Sequence, residues 1–133
     1  MKIGELGRAA GLTAKAIRYY ESIGLLAEPD RTESGYRDYD TATLDRLEFI
    51  GQAQASGLTL AEIGSILDIK DAGGKSCEHT YGLLRRHLDR LDTQIEAMQR
   101  QRTELAALAD RAVSLDPSTC LDEHRCQVIV GAP

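Results

Sequence analysis

The chain has no tryptophan and one phenylalanine, its aromatic fraction is 5%, and its formal net charge is −5. Such a composition does not by itself point to a nucleic-acid binder, so any DNA contact has to come from a local patch. The acidity is not confined to a tail, because residues 1–70 hold 8 Lys and Arg against 11 Asp and Glu. No run approaches ~18 consecutive apolar residues and the N-terminus lacks the apolar core of a secretion signal, so a soluble, cytoplasmic protein without a membrane partner is expected. Cysteine is scarce and odd in number, at Cys77, Cys120 and Cys126. That count does not fit a disulfide framework and points to metal ligands or redox thiols. There is no phosphate loop and no evident pairing of a nucleophile with a base, so the pattern does not read as an enzyme. Repeats and low-complexity runs are also missing. At 133 residues the chain has room for one small domain and an appendage.

What is present is dominated by the stretch from Ser76 to Ala112. No proline interrupts it, and Gly82 is its only glycine. Tyr81, Leu84, Leu88, Leu91, Ile95, Met98, Arg102, Leu105, Ala109 and Ala112 follow one another at alternating gaps of three and four residues. That spacing is the seam of a coiled coil. A helix from about Glu78 to Arg111 would run roughly 50 Å. The alternative, a helix folded onto its own domain, leaves too little chain to cover both this seam and a second core. A second copy of the chain, in a homodimer, is the expected partner.

The segment before it reads as short helices. Ile3, Leu6 and Ala10 give an amphipathic helix from Lys2 to Ala10, ended by Gly11. Thr13 is an N-cap for a second helix, Ala14 to Ile23, closed by Gly24. Two short helices joined at a glycine form a helix-turn-helix. Ile17 and Tyr20 face inward, while Lys15, Arg18 and Tyr19 project from the other side, a set suited to phosphate contacts and groove readout. The turn-rich stretch Leu26–Tyr39 is compatible with a small β-hairpin wing that carries Arg31, Tyr36 and Arg37. A third helix follows Asp40 or Thr41 to about Ser56, on Leu44, Leu47, Ile50 and Ala53. Thr59 with Glu62 is a capping box for a fourth, with Leu60, Ile63, Ile66 and Leu67 as its apolar face. Asp68 to Lys75, with Gly73 and Gly74, forms the link to the long helix.

The run "IGELGRAAGLTAKAIRYYESIGLL", the wing "RTESGYRDYD" and the pair "LDRLEFIGQAQASGLTLAEIGSIL" resemble the MerR family of bacterial transcription regulators, and the resemblance extends over essentially the whole chain. It implies a mainly α fold: a winged helix-turn-helix DNA-binding domain at 1–70, a hinge at 71–76, a long antiparallel coiled-coil dimerisation helix at 77–112, and a short C-terminal metal-binding loop and tail at 113–133. It also implies that Lys15, Arg18 and Tyr19 lie in or beside the major groove, and that Tyr36 and Arg37 clamp the phosphate backbone. Family members are similar to one another in binding a palindromic operator in double-stranded promoter DNA as homodimers. On binding an effector they distort that DNA to realign the promoter, and so act on RNA polymerase indirectly.

Cys77 falls at the first helical position after Ser76, a place that suits an anionic ligand. Cys120 and Cys126 bracket "LDEHR" beyond the helix, with His124 between them. The residues from Val113 to Cys120, at no more than ~3.6 Å each, cannot carry Cys120 back along the helix to Cys77. In an antiparallel pair, Cys77 of the partner subunit lies beside Cys120 and Cys126, so a metal would sit at each end of the arm. The resemblance to metal-sensing members implies the same arrangement. It further implies a divalent ion, because the monovalent copper, silver and gold sensors carry serine where this chain has Cys77. Three thiolates suit mercury or lead, and adding His124 makes a Cys₃His set for zinc, the first choice, or cadmium. His79, Asp122 and Glu123 are lesser ligand candidates. Two functional classes follow: a metal-responsive regulator that activates metal-resistance or efflux genes, or a regulator of the same fold in which Cys120 and Cys126 form a redox switch.

Overall fold

The computed structural model describes residues 1–131. Helices and their caps arise where local chemistry calls for them. Helix α1 (Ile3–Ala10) ends at Gly11 in the left-handed conformation, φ 69°. Helix α2 (Ala14–Ser22) starts at Thr13, whose side chain accepts the Ala16 N–H at 3.1 Å. A methyl group at Gly7 would lie 2.6 Å from the Leu12 carbonyl oxygen, so the turn joining the two helices closes only over glycine. Strands β1 (Asp30–Arg31) and β2 (Arg37–Asp38) pair antiparallel, with Asp30 opposite Asp38 and Arg31 opposite Arg37. The hairpin turn is held by Thr32 N–H on the Tyr36 carbonyl at 2.7 Å, and Tyr39 N–H ties the end of the wing to the Met1 carbonyl at 2.7 Å.

Asp40, not Thr41, caps helix α3 (Thr41–Ala55), accepting the Thr43 N–H at 2.9 Å. Helix α4 (Leu60–Asp71) opens on the expected capping box, with Thr59 and Glu62 exchanging backbone and side-chain bonds. It continues past Asp68, where the link was expected to start. Arg46 explains the extra turn, since its guanidinium grips both Asp71 oxygens at 2.7 and 3.0 Å while its Nε donates to the Leu25 carbonyl at 2.6 Å. Helix α1 packs on α2 and α3, and α3 on α4. The most deeply buried side chains, Leu6, Ile17, Ile50 and Ile63, come one from each of these four helices, so a single core fixes the helix-turn-helix.

Helix α5 (Cys77–Ser114) is 38 residues long, about 57 Å at the α-helical rise, and runs slightly beyond the expected end near Ala112. Contacts divide the chain into two compact units, Met1–His87 and the residues from Leu88 onward. In the second unit Leu88, Leu91, Ile95, Met98 and Leu105 of the expected seam are exposed, each by about half or more. A 3₁₀ turn (Pro117–Thr119) and a short helix α6 (Gln127–Val130) follow. The last two residues of the tail expected at 113–133 lie outside the described residues. Among the described residues no helix is long and apolar enough to cross a membrane.

Candidate functional site

The residues expected to read DNA are displayed by two elements. On α2, Ile17 and Tyr20 are buried, which turns Lys15, Arg18 and Tyr19 outward, Tyr19 being 52% exposed. On the wing, Tyr36 is 66% exposed at the tip. Arg31 serves the wing itself, its Nη1 donating to the Gly35 carbonyl at 2.9 Å across the turn. Lys2, Arg18, Arg31, Tyr36 and Arg37 together line a cleft of about 240 Å³, so the residue before α1, α2 and the wing contribute cations to one place. Lys2 Nζ lies 5.9 Å from the centre of the Tyr36 ring, within cation–π range. In a chain whose net charge is −5, this is the local basic patch that a polyanion requires.

A residue that local patterns do not reveal joins the two elements. Glu21, on the last turn of α2, accepts the Tyr39 hydroxyl at 2.5 Å and faces Arg37 Nε at 3.4 Å. Its side chain is 9% exposed. Burial first, and then the bond to Glu21 and its charge, push the Tyr39 hydroxyl up to about 12, so it remains a proton donor at any ordinary pH. The carboxylate therefore sets the position of the wing's Arg37 relative to α2.

The thiols occupy two other places. Cys77 is the first residue of α5, directly after Ser76, whose carbonyl accepts the Thr80 N–H at 2.8 Å. Cys120 and Cys126 flank a loop braced by its own acids. Asp116 caps the 3₁₀ turn through Ser118 N–H at 3.0 Å. Asp122 accepts the His124 and Arg125 N–H groups on Oδ1, at 3.0 and 3.1 Å, and Arg125 Nε on Oδ2 at 2.8 Å. These bonds, the His124 N–H first, hold its carboxyl below the usual carboxylate range. Asp122 thus shapes the loop, and both its oxygens are engaged. The Cys126 carbonyl receives Ile129 and Val130 N–H at the start of α6. Arg111, near the end of α5, donates to the Val128 and Ile129 carbonyls and ties the loop to the arm. All three cysteines are exposed and unpaired, and His124 and Glu123 are exposed. Three thiols and an imidazole are the donors that soft and borderline metals take. Among the described residues no group of three or more His, Cys, Asp or Glu within the one chain is arranged to hold a metal ion.

His79 is turned away from Cys77. Its Nε2 lies 2.8 Å from Ser65 Oγ on α4. Ser65 donates its own proton to the Glu62 carbonyl at 2.6 Å, so the His79 Nε2 supplies the proton in their contact.

Residues 1–69 match the family model described as MerR HTH family regulatory protein, and residues 44–108 match the one described as MerR, DNA binding. The chain belongs to the MerR family. It is accordingly a helix-turn-helix, DNA-binding transcription regulator. This MerR-family chain is 39% identical over 110 residues to a mercuric resistance operon regulatory protein from Bacillus cereus, covering 83% of each chain. It is 36% identical over 126 residues to the HTH-type transcriptional regulator ZntR homolog of Haemophilus influenzae, covering 93% of each. Among solved structures it is similar to the transcription regulator PbrR691 from Ralstonia metallidurans CH34 in complex with lead(II). There the TM-score is 0.73 at 32% identity, with 98% of this chain and 97% of that one covered.

Proposed function

We propose that the protein is a cytoplasmic, metal-responsive transcription regulator that binds promoter DNA as a homodimer and holds a divalent soft metal at thiols drawn from two chains. The observation that carries the reading is the placement of three free thiols: one opens α5, and two flank a loop that Asp122 and Arg111 brace. The exposed seam of α5 supports a second chain, and an antiparallel pairing brings Cys77 of the partner subunit to Cys120 and Cys126. His124 is the fourth donor for zinc or cadmium, whereas mercury or lead needs only the thiolates. The relatives' names, a mercuric resistance regulator, a ZntR homolog and a regulator crystallised with lead(II), support a metal as effector, with zinc the first choice.

In this reading residues 1–70 engage the operator, 71–76 are a hinge, 77–112 form the arm and the tail from 113 holds the metal. Lys15, Arg18 and Tyr19 enter or flank the major groove. Tyr36 and Arg37, with Arg31 bracing the turn, grip the backbone, and RNA polymerase is reached indirectly through promoter shape. Bending a promoter site takes on the order of 1–6 kcal/mol. A metal that favours the distorting conformation can offset part of it, since effector coupling is typically ~1–3 kcal/mol.

Transcription in vitro from the operator, with zinc, cadmium, lead and mercury supplied separately, tests the proposal. At least one metal should activate the wild-type chain at sub-micromolar free concentration, and Cys77→Ser should abolish the response while preserving DNA binding. Activation by oxidant in the presence of a chelator would instead favour a thiol redox switch at Cys120 and Cys126.

A further inference from the structure

One face of α5 is committed to something other than the seam. His79, Leu83 and His87 recur every four residues and so lie along one side of the helix. Leu83 is the buried residue of α5, 3% exposed, and joins the core cluster that contains Ile63, Ile66 and Leu67 of α4. An imidazole meets α4 on each side of it. His79 Nε2 donates to Ser65 Oγ at 2.8 Å, and His87 Nε2 donates to both oxygens of Glu62, at 2.8 and 3.0 Å. Glu62 is also the capping-box residue of α4, accepting the Thr59 N–H at 2.9 Å. A single carboxylate therefore closes the first turn of α4 and holds α5 ten residues into its length.

The covalent link does not supply such a connection. Between α4 and α5 the chain passes through Gly73, at φ 80°, and Gly74, whose N–H groups bond back to the Lys70 and Ile69 carbonyls at 3.0 and 2.9 Å, so these bonds close the link onto α4 and not onto α5. The side-chain contacts bypass it, and the first compact unit runs through His87.

We propose that the His79–Leu83–His87 stripe is a latch that makes the start of α5 move as one body with the capped end of α4, so that the state of the arm is passed to the DNA-reading unit. His79 and His87 are positioning residues that touch neither DNA nor metal. The proposal takes from the metal-responsive reading only the identity of the signal.

Full-length H87A, H87Q and H79A/H87A chains test it, with zinc as the metal and a duplex selected by the wild-type chain from a random-sequence pool. Zinc affinity, from competition with a chelator, and duplex affinity, from anisotropy, stay within about twofold of wild type, as for changes outside a binding surface. The zinc-dependent fluorescence change of an adenine analogue at the centre of the duplex falls about fivefold or more in H87A, the size of a lost coupling of ~1 kcal/mol. It recovers in H87Q, whose amide still donates to Glu62. Metal-free hydrogen exchange gives a reading that does not depend on zinc. H87A speeds exchange about tenfold in the first turn of α4 as well as in Thr80–Leu84, because local opening free energies fall together. Wild-type coupling in H79A/H87A, or faster exchange confined to α5, overturns the latch. If the wild-type chain shows no zinc-dependent change while exchange quickens in both helices, the metal reading fails and the latch stands.

Discussion

Glu21→Gln keeps the shape of the joint between α2 and the wing and removes its charge. In the wild type one oxygen accepts the Tyr39 hydroxyl at 2.5 Å and the other faces Arg37 Nε at 3.4 Å, within a site where Glu21 is 9% and Tyr39 4% exposed. A hydrogen bond to a charged group contributes ~1.5–3 kcal/mol, against ~1 kcal/mol for a neutral one. Glutamine retains the neutral bond to Tyr39, so the expected loss is about 0.5–2 kcal/mol. Arg37 then loses its counter-charge, and its Nε, buried and without a hydrogen-bond partner of its own, gains nothing in exchange. For a domain the size of the Met1–His87 unit, that loss lowers Tm by roughly 2–15 °C. Operator affinity should fall about tenfold, which is what ~1.4 kcal/mol of misplaced Arg37 contact amounts to. Tyrosine titration by ultraviolet absorbance is a third readout. Burial is the largest cause of the raised Tyr39 value and survives the substitution, so the hydroxyl should titrate below its present value of about 12 yet above the ordinary 10. Melting and Tyr39 titration that both match the wild type would refute the joint.

Three further outcomes follow from the same contacts. Leu91→Glu with Ile95→Glu sets carboxylates on the exposed seam; unpaired at an interface they should weaken the dimer by on the order of 4 kcal/mol, about a thousandfold, so sedimentation should find monomers, and a persistent dimer would place the interface elsewhere. The Thr59 N–H, and then the bond from His87, hold the Glu62 carboxyl down at about 2. Its folded value lies below its unfolded one, so its contribution to stability is complete above pH 4.5 and fades as pH falls from there toward about 2. Urea midpoints of Glu62→Gln should therefore decline less steeply than wild type across that window, and parallel declines would contradict the pairing. Gly7→Ala forces a methyl group against the Leu12 carbonyl oxygen, 2.6 Å away, and should destabilise by about 1–3 kcal/mol, read as a lower denaturant midpoint at unchanged slope.

Features written in adjacent residues were legible in the sequence. Gly11, Thr13 and the Thr59–Glu62 box act within one helical turn, and the helix boundaries they imply agree with the structure to within a few residues. The exposed cation set on α2 follows from the burial of Ile17 and Tyr20 at helical spacing. What stayed hidden depends on distant partners. Glu21 meets Tyr39 across 18 residues of chain and Arg46 meets Asp71 across 25, and no local pattern announces either pair. The His79–Leu83–His87 stripe did leave a signal, a repeat of four. It was masked because the three-four alternation of the seam overlays it on the same helix, and a helix can present two faces to two partners. Lys2 gave no signal, since its place beside Tyr36 depends on how α1 packs against the wing.

The claim that two chains share the metal is open to one decisive measurement. A Cys77→Ser chain, with its loop intact, is mixed with a Cys120→Ser/Cys126→Ser chain, which retains Cys77, and the heterodimer is purified through two different tags. If the site is shared, neither homodimer would hold a complete donor set, but the heterodimer would assemble one from Cys77 of one chain and the loop of the other. The account predicts one tightly bound zinc per heterodimer and none in either parent. A heterodimer as metal-free as its parents would contradict it.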